Sequence, residues 1–518
     1  MNKNKKSTIT TENLINYTYT SLSRSSLHSL KLSSLNLSSF SSSSLINGEL
    51  DYKAIGSSRC ADFPWKNGII NPGVQSNLPP YNSFHCNTIK IPTKIKHVIR
   101  RHMPREVLRA IHPNVEVAIE MCLLFTTQLI STQFEEEAVN NIDRWKALKT
   151  EYLRKYFSTS PSSYKKIIKA LETPLLNGAI LECDYISIKG KKSYQYRFGQ
   201  AYFKKGLVSY DLKTKEAIHL LRKHNEHLCN RAQSNPICRN LMTFYSTMIL
   251  PTPEEILAEA KTLISKGYRN RNGRKLTFLN KHSKDHVKNH TELSFVEDAI
   301  KKFKYLTDNH VMIPRPGNSA SGGRVVDSIT LMPRWIRNLI KVDGMTLVEC
   351  DFSCLHPNIA IALYKGTQEY ITHEGLAIKL NIDLNIVKDQ HLSFFNRTPK
   401  HMEKSPLYEY YNVTEPQMIK SIVDEKYKST FKHTSTSRKL FAKEVEIMCD
   451  IITRLNRENI YVGYVYDALL CHPRNVQRLI EIMNSTALIH GVKTVAKASL
   501  SSQQRSLQDV GKGSRIAA

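Results

Sequence analysis

The chain has 518 residues, enough for roughly two to four domains with sizeable cores. Lys and Arg number 74 against 46 Asp and Glu, a net charge of +28 that favours a polyanionic partner, most simply DNA or RNA. The ten cysteines contain no C-x-x-C pair, which excludes a zinc ribbon and predicts reduced thiols, and no stretch reaches the ~20 apolar residues of a membrane span.

Residues 1–50 are Ser- and Leu-rich and nearly acid-free, a composition that buries little and predicts a disordered tail. It also resembles an organelle transit peptide, so the expected location is cytoplasmic in a bacterial or phage setting and mitochondrial in a eukaryote. Residues 51–158 form an N-terminal region, helical from Pro104 to Ser158, with EVAIEMCLLFTTQLI as its most apolar part. Within 159–212, Tyr164 to Glu172 reads as an amphipathic helix closed by Pro174 and Gly178. AILECDYIS and SYQYRF then read as two strands joined by the basic turn KGKK. A helix followed by a Lys-rich hairpin predicts a winged-helix-like unit, with Lys189, Lys191, Lys192 and Arg197 laid against phosphates. Residues 213–314 predict a basic, helical, thumb-like region. His282, His286 and His290 recur there at helical spacing, but their Lys-rich setting favours phosphate over metal. Residues 315–495 carry the chemistry, and 496–518 read as a flexible tail.

The chemistry rests on two aspartates. Leu347 and Val348 read as a short strand with Asp351 at its mouth, before apolar, helix-like sequence resumes at Ile359. In NIYVGYVYDALLCHP, Ile460 to Val465 reads as a strand, Gly463 permits a tight approach, and Asp467 stands at a hairpin turn. Antiparallel strands of one sheet bring two such acids together. Paired carboxylates holding two Mg²⁺ ions ~4 Å apart can activate a 3′-hydroxyl and stabilise a leaving pyrophosphate.

Strand-Asp-aromatic-Ser, a basic helical segment and a strand-Tyr-Asp hairpin together resemble motifs A, B and C of the family A DNA polymerases. DFS at 351–353 resembles Asp-Tyr-Ser of motif A, and VYD at 465–467 resembles Val-His-Asp of motif C. SGGRVVDSITLMPRWIR resembles the upstream Thr-Gly-Arg-Leu-Ser-Ser stretch, and the helix KLFAKEVEIMCDIITRLN resembles the one that leads into motif C. The likeness covers about 315–490 and extends to reduced plasmid and phage polymerases with a winged-helix region ahead of the palm. It implies an α+β fold, a mainly antiparallel palm sheet with helical fingers and thumb-like insertions. It further implies a DNA polymerase working on a primer-template and deoxynucleoside triphosphates with two Mg²⁺, held by Asp351 and Asp467. Arg324 and Ser328 then contact template or primer, and Ser353 and His356 lie near the incoming nucleotide. The motif B lysine is Lys420 with Tyr427 behind it, or Lys388.

The sequence departs from the family in two places: Ala468 follows the motif C aspartate where Glu is usual, and His356 replaces the Glu that obstructs a ribose 2′-hydroxyl. Three other readings stay open. One is a non-enzymatic DNA-binding replication protein. Another is a single-subunit RNA polymerase or primase-like enzyme. The third is a metal nuclease that uses Glu349 as an extra carboxylate. No Asp-x-Glu start of a proofreading exonuclease is evident.

Overall fold

The computed structural model describes residues 87–134, 145–157, 162–175, 177–186, 188, 193–203, 206–270, 272–279, 289, 291–308 and 312–499. The expected tail at 1–50, Lys189, Lys191, Lys192, and His282, His286 and His290 lie outside them. The fold is α+β, with short antiparallel sheets and one parallel strand pair set among many helices.

Two buried clusters organise it. The first runs from Ile89 to Leu221 and is built around the helix Val115–Thr127, whose residues 117–126 are all buried. Its apolar stretch is longer than the sequence reading allowed: Val115–Phe134 contains an 18-residue window of mean hydropathy 1.4, 72% of it buried inside the protein, as befits a core helix. Glu120 sits in this helix at 1% exposure. Its carboxylate accepts from Tyr210 Oη, Lys213 N, Thr214 N and Thr214 Oγ1, which satisfies the buried charge and fixes the start of helix Lys215–Gln233.

The expected helix and two strands form as Ser163–Glu172, Leu181–Cys183 and Gln195–Phe198, the strands antiparallel, with Lys146–Ala147 added at the edge. Lys215–Gln233 bridges the two clusters, giving Leu220 and Leu221 to the first and Cys229 and Ala232 to the second. The second cluster continues to Ala496.

In the region 213–314, expected to be helical, the described residues include the helices Pro253–Ser265 and Val296–Leu306 with a parallel strand pair, Lys275–Thr277 and Leu293–Phe295, between them. Gly267 and Gly273, at φ 67° and 73°, break the helix there.

A four-stranded antiparallel sheet lies in the second cluster, in the order Gly463–Val465, Ala468–Cys471, Val348–Phe352, Ala496–Ser499. Val348, Cys350 and Phe352 are buried, while Glu349 and Asp351 alternate onto the other face. Asp351 is therefore inside its strand rather than at its mouth. The last strand corrects the reading of 496–518 as a tail: Ala496–Ser499 pairs along the outer side of the Asp351 strand, with Asp351 opposite Lys497. The helices Ser435–Arg457 and Val476–Ile489 pack on one another, and the second also packs on the sheet. The described cysteines are free thiols.

Candidate active site

The register of the sheet positions both aspartates. Asp351 is opposite Ala468, the residue after Asp467. Opposed antiparallel Cα atoms are about 4.5–5.5 Å apart and consecutive ones 3.8 Å, so the Asp351 and Asp467 Cα atoms lie within about 9 Å. Gly463 allows a close approach in the hairpin: a Cβ there would meet Leu470 and the Phe244 ring at 3.2 Å, tighter than ordinary contact. The turn consists of Tyr466 and Asp467, and Tyr466 takes φ 61°. This left-handed conformation costs a non-glycine residue about 1–3 kcal/mol. The Tyr464 ring at 6.3 Å and the Arg324 guanidinium at 5.0 Å hold the Tyr466 ring in place.

Both carboxyls resist ionisation. Burial first, then the nearby Asp467 and Glu349 carboxylates, push Asp351 up to about 8. Burial and then the Glu444 carboxylate push Asp467 up, against the opposing pull of His356 and Arg324. Asp351 Oδ1 is buried with no hydrogen-bond partner among the described residues. Two adjacent acids, one with an orphaned oxygen, fit a divalent cation, which would supply both the missing partner and the missing positive charge.

A pH dependence follows from the sign of the Asp351 shift. Its folded value lies above the ordinary 3.8, so between the two values the folded chain keeps a proton that the unfolded chain has released. In metal-free buffer the melting temperature should therefore contain a component that falls as pH rises from about 4 to about 8. Asp351→Asn should flatten that component; an unchanged slope in the variant would contradict the assignment.

Beside the aspartates lies a buried ionic cluster of Arg324, His356 and Glu444, of which sequence reading missed Glu444. Arg324 is 6% exposed and Glu444 0%. Arg324 Nε donates to Glu444 Oε1 at 2.8 Å and Nη2 donates to Oε2. His356 Nε2 is 2.6 Å from Glu444 Oε2 and 3.0 Å from Arg324 Nη2. The guanidinium also lies 3.8 Å over the Phe441 ring, which meets the His356 ring edge-on. Burial alone would raise Glu444, but Arg324 and His356 overcome it and hold the carboxyl at about 2. In the long helix Glu444 occupies the stripe of Leu440, Ile447, Met448 and Ile451, all buried. An acid at a core position of an amphipathic helix is the signal that marked it.

Gly322 brings Arg324 to this helix. It sits at φ 62°, and a Cβ there would lie 2.5 Å from Ala442 N. Gly322→Ala should cost about 1–3 kcal/mol, measured by urea unfolding; a loss below about 0.5 kcal/mol would show that this approach is not needed.

Several expectations need correction. Arg324, expected on template or primer, is turned inward onto Glu444. Ser328 is 2% exposed and its Oγ donates to Leu306 O, so it has no face for nucleic acid. Arg197, expected on phosphates, is paired with Glu182 and lies 4.4 Å over the Trp145 ring. Glu349, the candidate third carboxylate, is bound by Arg334 at 2.9 Å and Arg337 at 3.4 Å, which offsets its charge.

Ser353 is half-buried, its amide donating to Val495 O and its carbonyl accepting from Thr494 Oγ1. Lys420 and Tyr427 are exposed on helix Pro416–Lys428, and Lys388 is exposed on helix Leu384–Phe394. The buried lysine of that first helix is Lys426, whose Nζ donates to Phe395 O and His433 O.

No protein-family model matches this chain, and no curated protein matches it. Among solved structures it is similar to the polymerase domain of Pol1 from M. smegmatis, in complex with DNA primer-template and dNTP. The identity is 11%, over 55% of this chain and 73% of that one, with a TM-score of 0.31. That similarity is too low to carry a function, which rests here on the chain's own residues.

Proposed function

We propose that this chain is a template-directed nucleotidyltransferase, a DNA-directed DNA polymerase that extends a primer with deoxynucleotides. One observation carries the reading: Asp351, on a sheet strand, and Asp467, at a hairpin turn, are brought side by side with raised carboxyls and an orphaned oxygen. The two aspartates would hold two Mg²⁺ ions, whose chemistry is to lower the pKa of the attacking 3′-hydroxyl and neutralise the departing pyrophosphate. The chain's residues do the rest. Asp351 offers its unpartnered oxygen, and the Tyr466 turn fixes Asp467 at the sheet edge. The Arg324–Glu444 pair anchors the His356 ring, 21% exposed, near enough to Asp467 to act on its charge. The net charge of +28 suits a nucleic-acid partner. In this reading the helix Ser163–Glu172 and its hairpin form a winged-helix unit that grips duplex DNA through phosphates.

The nuclease alternative is weaker, because its third carboxylate is already bound by two arginines. An RNA-synthesising enzyme remains the second reading, favoured by His356 in place of a Glu. Primer extension with labelled deoxy- and ribonucleotides separates the two. With Glu444 and Phe441 fixing the ring, His356 crowds a 2′-hydroxyl by shape alone, worth about 1–3 kcal/mol or roughly 10- to 200-fold. His356→Ala should raise ribonucleotide use more than it lowers deoxynucleotide use. A ratio unchanged from wild type would remove His356 as the gate.

A further inference from the structure

A second cluster of donor atoms begins three residues after Asp351 and uses none of the carboxylates described above. Cys354, His373 and His391 each offer one ligand atom, and the three lie within 4.8 Å of one another. They come from three elements: Cys354 precedes helix Leu355–Leu363, His373 opens helix His373–Leu380, and His391 lies within helix Leu384–Phe394.

The surroundings are built rather than incidental. His391 is 6% exposed, its Nε2 is held 2.8 Å from the buried Tyr411 hydroxyl, and its Nδ1 has no partner among the described residues. An imidazole fixed through one nitrogen with the other bare is the arrangement of a metal-ligating histidine with its outer partner. Asn358, also buried, donates to Cys354 O at 3.0 Å and Ile371 O at 2.9 Å, and accepts from Ile371 N at 2.8 Å. It thereby ties the chain leading to His373 onto the helix that follows Cys354. Cys354 itself takes φ 58°, a conformation that sets the thiol at this corner rather than continuing the strand.

We propose that Cys354, His373 and His391 bind one zinc ion, with solvent in the fourth position. A tetrahedral zinc with Zn–S of about 2.3 Å and Zn–N of about 2.0–2.1 Å sets its ligand atoms about 3.3–3.6 Å apart, which modest side-chain rotation from the present spacing reaches. One thiolate with two imidazoles selects zinc over magnesium, so this site does not compete for the ions proposed at Asp351 and Asp467. On binding, the Cys354 thiol gives its proton to solvent. The ion would staple the turn between Asp351 and His356 to the two helices that follow, fixing the segment after the catalytic strand.

The proposal is independent of nucleotide addition, and so is its test. Full-length protein stripped with chelator is titrated with Co²⁺ and the thiolate-to-cobalt charge-transfer absorption recorded; Zn²⁺ is then added in competition. Wild type should show the band at one equivalent, displaced by Zn²⁺, and Zn²⁺ should raise its melting temperature. Cys354→Ser should lose the band. His373→Gln, at a half-buried ring where folding is less at risk, should keep the fold by circular dichroism and bind at least about tenfold more weakly. Absence of the band in wild type, or a band and affinity unchanged in both variants, would overturn the assignment.

Discussion

Asp351→Asn and Asp467→Asn should each abolish nucleotide addition while leaving DNA affinity within about twofold of wild type. Asn preserves size and packing but carries no charge, so the developing charge on the 3′-oxygen and pyrophosphate loses several kcal/mol of stabilisation. At 1.36 kcal/mol per decade this is a rate loss of about 10³-fold or more. DNA affinity is expected to persist because phosphate contacts come from basic residues spread over the surface. Single-turnover extension and a filter-binding titration on the same preparations check both halves. Asp351→Asn should not unfold the chain, since it removes a charge that burial disfavours. Near-wild-type extension by both variants would end the polymerase reading.

The second large effect is on stability. Arg324→Ala should cost about 3–5 kcal/mol, because it leaves the Glu444 carboxylate buried with its main counter-charge gone. The pair also sets a pH dependence. Glu444 is held at about 2, below its ordinary 4.5, so its contribution is full above the ordinary value and is lost as pH falls from there towards 2. The acid limb of the wild-type stability curve should be steeper than that of Arg324→Ala. Replacing both partners with apolar residues, Arg324→Met with Glu444→Leu, should recover much of the loss. Urea unfolding between about pH 3 and pH 7 measures this; a loss below about 1 kcal/mol for Arg324→Ala would show that the pair contributes little.

The two aspartates were legible because their surroundings follow strand and hairpin periodicity. Val348, Cys350 and Phe352 alternate with Glu349 and Asp351, and the apolar runs on either side of Tyr466-Asp467 pair with each other. The helix and hairpin at 163–198 were legible for the same reason. Ala496–Ser499 was not, because AKAS has poor strand propensity and forms only by pairing with the Asp351 strand. The parallel pair at 275–277 and 293–295 is three residues per strand, too short to show a period. Arg324 was recognised as a site residue, but its partner Glu444 was not: the core position of that acid is visible in its helix, whereas nothing local links it to an arginine 120 residues earlier. Lys420 and Lys388 are both exposed, and the segment between the aspartates carries no local pattern that selects one of them.

The most direct test is templated single-nucleotide incorporation by the wild-type chain. Four primer-templates, differing only in the first unpaired template base, are each incubated with one deoxynucleotide at a time in the presence of Mg²⁺. The account predicts extension by one residue only where the nucleotide complements the template base, and none when the divalent ion is chelated. Binding of the primer-template without extension in any of the sixteen combinations would contradict it.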